Sequence, residues 1–128
     1  MPKLSKTSAP FVDHGPVCEY AGELAGYSVG FTKFRHDMDH SPLLKGLPDN
    51  RCQCAHWGYV LQGKMTMRYA DHDEVFEAGD AFYAPPGHVP ITNEPDTELL
   101  MFSPSADLKK TQDAIMLNMK AMQPSPKS

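Results

Sequence analysis

Between Tyr27 and Phe102 the chain never runs more than a few residues without a turn signal. That rhythm leaves room for little except a small β structure. Tyr27-Ser28-Val29-Gly30-Phe31-Thr32 alternates apolar with small or polar residues. Trp57–Leu61 is apolar and aromatic and stops at Gln62-Gly63, and Lys64–Tyr69 alternates again with Met65, Met67 and Tyr69 on one face. Further short segments follow at Glu74–Glu77, Ala81–Ala84, Val89–Thr92 and Glu98–Phe102, divided by Asp71-His72-Asp73, Ala78-Gly79-Asp80, Pro85-Pro86-Gly87 and Asn93–Asp96. Short strands at close, even spacing predict an antiparallel sandwich or barrel. Two prolines and a glycine make Pro42–Arg51 a loop. Past Ser103-Pro104-Ser105 the period changes: Leu108, Ile115, Met119 and Met122 share one helical face. That helix must dock on the β body or on a partner.

The 128 residues suffice for one domain with a single core. The expected division is an N-terminal arm at 1–18, a barrel at 19–103, a helix at 104–122 and a tail at 123–128. With 12 Lys and Arg against 16 Asp and Glu the formal charge is −4. Nothing in that balance favours nucleic acid or an anionic membrane as partner. No apolar run approaches a membrane span, and the N-terminus lacks a signal-like apolar segment, so the cytoplasm is the expected location. Cys18, Cys52 and Cys54 do not form a disulfide framework; in a reducing compartment they are thiols or metal ligands. A serine nucleophile elbow, a phosphate-cradling glycine loop and a nucleotide fingerprint are all missing.

Two stretches carry more information: Gly58-Tyr59-Val60-Leu61-Gln62-Gly63, and Gly79-Asp80-Ala81-Phe82-Tyr83-Ala84-Pro85-Pro86-Gly87. Each is a buried strand ending in a tight turn, with glycine giving the turn its φ and proline denying the ladder a donor. The pair, with its spacing, resembles the two motifs of the cupin superfamily over about residues 50–103. The resemblance implies an all-β antiparallel cupin β-barrel, or jelly roll, with one C-terminal helix. It also implies a homodimer, since cupins commonly pair. Function is not implied with it, because the superfamily hosts metal-dependent dioxygenases, isomerases, sugar-binding sensors and storage proteins. Family members usually hold a metal with two histidines and a glutamate of the first motif and a histidine of the second. Here those positions carry Asn50, Cys52, His56 and Pro90.

A different set is on offer. Cys52, Cys54 and His56 share one strand parity, and His88 has the parity of the Pro90 position. Two thiolates and two imidazoles suit one divalent transition metal, zinc or iron. On a straight strand Cys52 and His56 would lie about 13 Å apart at ~3.3 Å per residue, so Cys52 needs a bend to join. The other reading makes the cysteines buried packing residues, with His56 bonded to a backbone carbonyl and His88 capping its turn. His36 and His40, in RHDMDH, read as a solvated charge run, and His14 and His72 as surface. Trp57, of opposite parity to His56, reads as core between sheet and helix, and Phe82 and Tyr83 read as barrel packing. The function expected is a small-molecule-binding domain, metal-binding through Cys52, Cys54, His56 and His88. The alternative is a metal-dependent enzyme of dioxygenase or isomerase type acting on a small organic substrate.

Overall fold

The computed structural model describes residues 3–122. Nine strands form two antiparallel sheets: β1 (Phe11–Asp13), β2 (Val17–Leu24), β3 (Tyr27–Phe34), β4 (His56–Gln62), β5 (Lys64–Arg68), β6 (Asp73–Glu77), β7 (Ala81–Ala84), β8 (Val89–Asn93) and β9 (Thr97–Pro104). The larger sheet runs β1-β2-β3-β9-β4-β7 and the smaller β6-β5-β8. One helix, α1 (Ser105–Met122), follows β9 directly. Among the described residues no helix is long and apolar enough to cross a membrane.

Alternation decides which side chains meet between the sheets. Val60, Met65, Met67, Phe82, Ala84 and Leu99 point inward and are buried in one cluster with Phe34, Tyr69 and Phe76. Each large apolar side chain so buried contributes about 1.5–3 kcal/mol. Phe76 and Phe82 stack with ring centroids 4.6 Å apart, joining the small sheet to the large one. At Gly63 the chain turns from β4 into β5 at φ +84, and a Cβ there would lie 2.8 Å from Thr97 Cα. Only glycine fits both the dihedral and the space.

The structure extends and corrects the expectations in several places. The span read as an arm carries β1, paired with β2 from Phe11↔Tyr20 to Asp13↔Cys18. Lys6 forms an ion pair with Glu98, on β9. Trp57 is not core between sheet and helix. It is 43% exposed on the outer face of the large sheet, beside Tyr83 at 5.1 Å and Tyr27 at 6.2 Å between ring centroids. Tyr83 is exposed there too, while Phe82 packs inside as expected. The tail expected at 123–128 lies outside the described residues.

Helix α1 docks on its own barrel. Asn118 Nδ2 donates to the carbonyls of Leu43 and Lys45 at 2.7 and 2.8 Å. Leu108 and Ile115 pack on a second cluster built from Leu44, Cys52, Cys54 and Val89. Leu117, on the far side of the helix, is 69% exposed. The loop from Arg35 onward is clamped to β8. The Asp37 carboxylate accepts from Thr92 Oγ1 at 2.6 Å and from the Asn93 amide at 3.0 Å. Asn93 Nδ2 donates back to the His36 carbonyl at 2.9 Å. These bonds hold Asp37 well below the usual carboxylate range, Thr92 first among them.

Candidate metal centre

The chain bends where parity alone would keep Cys52 and His56 apart. Residues 53–55 are not strand, and Cys52 instead makes an isolated antiparallel bridge with His88. The Cys52 amide donates to the His88 carbonyl at 3.1 Å, and the Gly87 amide donates to the Cys52 carbonyl at 2.7 Å. Gly87, at φ +98, supplies the left-handed turn that lets the hairpin end fold back on Cys52. Backbone pairing thus sets the two side chains against each other before either makes a contact.

Cys52, His56 and His88 are all buried, and one ligand atom from each lies within 4.8 Å of the others. Cys52 Sγ is 3.8 Å from His56 Nε2, and the two imidazole centroids are 4.9 Å apart. In a tetrahedral site with metal–nitrogen bonds of ~2.0–2.1 Å and metal–sulfur bonds of ~2.3 Å, ligand atoms stand about 3.3–3.6 Å apart. Small side-chain adjustments therefore close the group around one ion.

The second ring nitrogens are engaged. His88 Nδ1 sits 2.7 Å from the Pro85 carbonyl oxygen. A carbonyl only accepts, so the proton is on Nδ1 and the lone pair on Nε2 is free. His56 Nδ1 is 2.6 Å from Ser103 Oγ, the same kind of orienting partner. Burial pushes His56 down to about 3, helped by neighbouring His88. Burial likewise lowers His88, against the Pro85 carbonyl, which raises it. Both rings are neutral at pH 7, as a ligand must be. Burial raises the Cys52 thiol, which backbone hydrogen bonding with Cys54 and the Thr111 hydroxyl partly offset. A metal must therefore displace the thiol proton on binding.

Of the four residues expected as ligands, three converge. Cys54 is fully buried, yet its Sγ lies 3.4 Å from the Ala55 carbonyl and outside the group. Burial pushes that thiol up to about 12. Asn50 turns away, its Oδ1 accepting from the Gly46 amide. The sequence reading missed two neighbours. Thr111 of α1 is 4% exposed, with Oγ1 3.8 Å from Cys52 Sγ. His40, read as solvated, is 8% exposed and packs edge-on against Phe34 with centroids 5.4 Å apart. The apolar pair Leu43-Leu44, buried just after it, was the available signal.

These residues open on a cavity of about 460 Å³ between the barrel and α1. Cys52, His56, His88 and His40 line it along with apolar side chains such as Phe34 and Ile115.

No protein-family model matches the chain, and no curated protein sequence matches it. Solved structures do. KdgF from Halomonas sp. is 19% identical, with a TM-score of 0.55 over 81% of this chain and 94% of that one. An RmlC-like cupin from Shewanella frigidimarina is 18% identical, with a TM-score of 0.55 over 79% of this chain and 88% of that one. The Fe(II) form of HppE is 9% identical, with a TM-score of 0.56 over 80% of this chain and 60% of that one. Likeness at this level is one of fold: the chain has the cupin fold.

Proposed function

We propose that this cupin-fold chain is a small-molecule-binding domain that holds one divalent transition metal through Cys52, His56 and His88. The observation that carries the reading is the convergence of three buried, neutral donors on one cavity wall, with His88 Nε2 left unprotonated by its bond to Pro85. One thiolate and two imidazoles suit zinc or iron(II). Three protein ligands leave a position open, where a bound ion would polarise a ligand oxygen or activate water. That open position is also what favours the alternative, a metal-dependent enzyme acting on a small organic substrate. HppE, a fold neighbour, has been solved with Fe(II).

The chain's own residues supply the rest. Ser103 and Pro85 orient the two rings, and Thr111 holds the Cys52 thiol. Apolar side chains such as Phe34, Leu99 and Ile115 lower the local dielectric, which strengthens a polar contact made beside them. Three free cysteines fit a reducing compartment such as the cytoplasm. The exposed aromatics Tyr27, Trp57 and Tyr83 on the large sheet support a homodimer paired through that face.

Elemental analysis after dialysis against zinc or iron(II) tests the metal. Wild-type protein should retain about one equivalent, and Cys52→Ala, His56→Ala and His88→Ala should each lose it. A wild-type protein that retains neither ion, or alanine variants that load fully, would overturn the reading.

A further inference from the structure

Glu19 belongs to an inward-facing row of side chains. The register runs Val12↔Glu19↔Thr32↔Leu99↔Val60 across β1, β2, β3, β9 and β4. Paired residues on neighbouring strands project to the same face, and Leu99 and Val60, at one end of this row, are fully buried in the core between the sheets. Glu19 therefore points into the cavity between the barrel and α1, which it lines. A Cβ on Gly30, its diagonal neighbour, would lie 3.8 Å from Glu19 Oε1, so the carboxylate sits over the bare backbone of β3.

The carboxylate is within reach of a ligand. Glu19 is half-buried, and solvent reaches its oxygens, unlike His40 Nε2 and the Tyr69 hydroxyl, which are sealed. The way in lies beside it. Val12, its partner across the ladder, and Met116 of α1 both line the cavity and are 41% and 56% exposed. Cys52, His56 and His88 are buried deeper in the same cavity.

Nothing on the wall balances this charge. Among the described residues Glu19 takes part in no ion pair, and the cavity lining includes no lysine or arginine. Asp113, the other carboxylate on the lining, is held by Lys109 of its own helix at 3.2 Å. Burial raises the Glu19 carboxyl, with nearby His14 pulling the other way. A carboxylate desolvated without a counter-charge is a cost that an entering cation offsets and an entering anion increases. Phe34, Leu99 and Ile115 offer apolar surface for the rest of a ligand. The volume, about 460 Å³, is ordinary for a small organic ligand, for which pockets run ~300–1,000 Å³.

We propose that the cavity takes an organic amine, a molecule whose ammonium group pairs with Glu19 near the mouth while a mostly apolar body extends toward the Cys52, His56 and His88 group. The proposal rests on the cavity being a small-molecule site and names the class of molecule it takes. It does not depend on the ion, so it is tested on metal-stripped protein, where failure to load metal and failure of this selectivity are read separately.

The probes are 2-naphthylmethylamine, an ammonium at pH 7.5, the neutral 2-naphthalenemethanol and the anionic 2-naphthoate, titrated calorimetrically at that pH. On stripped wild-type protein the amine should bind at least about tenfold more tightly than either of the others, the worth of one partly desolvated charge-assisted hydrogen bond. In Glu19→Gln its advantage over the alcohol should fall to within about twofold, while the alcohol binds as it does to wild type. Glu19→Ala should do the same, which serves if the glutamine variant folds poorly. Asp113→Asn should keep the amine preference, because that carboxylate is already paired. The zinc content of all three variants after loading should equal that of wild type. The proposal is overturned if 2-naphthoate binds best, if none of the three probes binds, if the amine preference survives both Glu19 substitutions, or if Asp113→Asn abolishes it.

Discussion

His56 Nδ1 lies 2.6 Å from Ser103 Oγ, across the pairing of β4 with β9, and this contact aims the other ring nitrogen at Cys52. Without it the imidazole keeps its burial and loses its orientation. Partners of this kind, behind a metal ligand, typically contribute ~10–100-fold in affinity. Ser103→Ala should therefore fold, retain the ligands and bind zinc about 10–100-fold more weakly. A competition titration with a chelating dye measures it; wild-type affinity in the variant would remove Ser103 from the site.

The two cysteines should separate cleanly. Cys52 Sγ faces His56, while Cys54 Sγ faces the Ala55 carbonyl with the residue fully buried. Cys54→Ala leaves a small void and should lower stability by about 1–2 kcal/mol without changing zinc content. Cys52→Ala should abolish stoichiometric zinc. Paired denaturation and metal measurements on both variants decide the matter, and loss of zinc from the Cys54 variant would count against the three-residue assignment.

What the sequence discloses here is mostly local. Strands from Tyr27 onward are bounded by Gly, Pro, Asn and Asp at their turns, and Met65, Met67 and Tyr69 share the buried face their alternation predicts. β2 lacks that clarity because Val17–Leu24 mixes apolar, glycine and glutamate positions without a steady period. Parity separates the two faces of β4 but does not say which elements cover each, so Trp57, expected between sheet and helix, is exposed while α1 packs elsewhere. Cys52 joins His56 because residues 53–55 leave the strand, a bend fixed by pairing with His88 far along the chain. His40 sits among charges in sequence; its burial depends on the bonds from Asp37 to Thr92 and Asn93. Thr111 reaches Cys52 only through the docking of α1.

Gly63 is a sharper test of the fold. Its φ is +84, and a Cβ would come within 2.8 Å of Thr97 Cα, which is backbone and cannot swing aside. Thr97 Oγ1 also accepts from the Lys64 amide at 3.1 Å and donates to the Glu94 carbonyl at 2.7 Å, so the neighbouring turn moves with it. Strain in φ and the clash together make Gly63→Ala cost about 2–4 kcal/mol. Urea denaturation reads this directly. A loss below about 0.5 kcal/mol, the range of ordinary surface substitutions, would show that the turn relaxes freely.

Acid should unfold the metal-free protein earlier than its carboxylates alone require. Burial holds His56 down at about 3 and His40 at about 4, and it lowers His88 as well. In the unfolded chain these rings titrate near ~6.5. Below that pH the unfolded state takes up protons that the folded state refuses, so stability is complete above pH ~6.5 and falls as the pH drops toward the folded values. At pH 5 His40 and His56 each remove about 2 kcal/mol, since each pH unit below ~6.5 is worth about 1.4 kcal/mol. His72 works the other way: Asp71, then Glu74, raises it, so its contribution grows on acidification, but it is exposed and solvent screens the effect. The lowered carboxyls of Asp13, Asp37 and Asp39 lose their contribution only at still lower pH. Denaturant titrations at pH 7 and pH 5 should therefore differ by several kcal/mol, and His40→Phe should flatten that dependence by up to about 2 kcal/mol. Bound zinc should move the acid transition lower, because protons must displace it from the histidines. Equal stability at the two pH values in the stripped protein would mean the rings protonate in place, and the neutral buried site described here would be wrong.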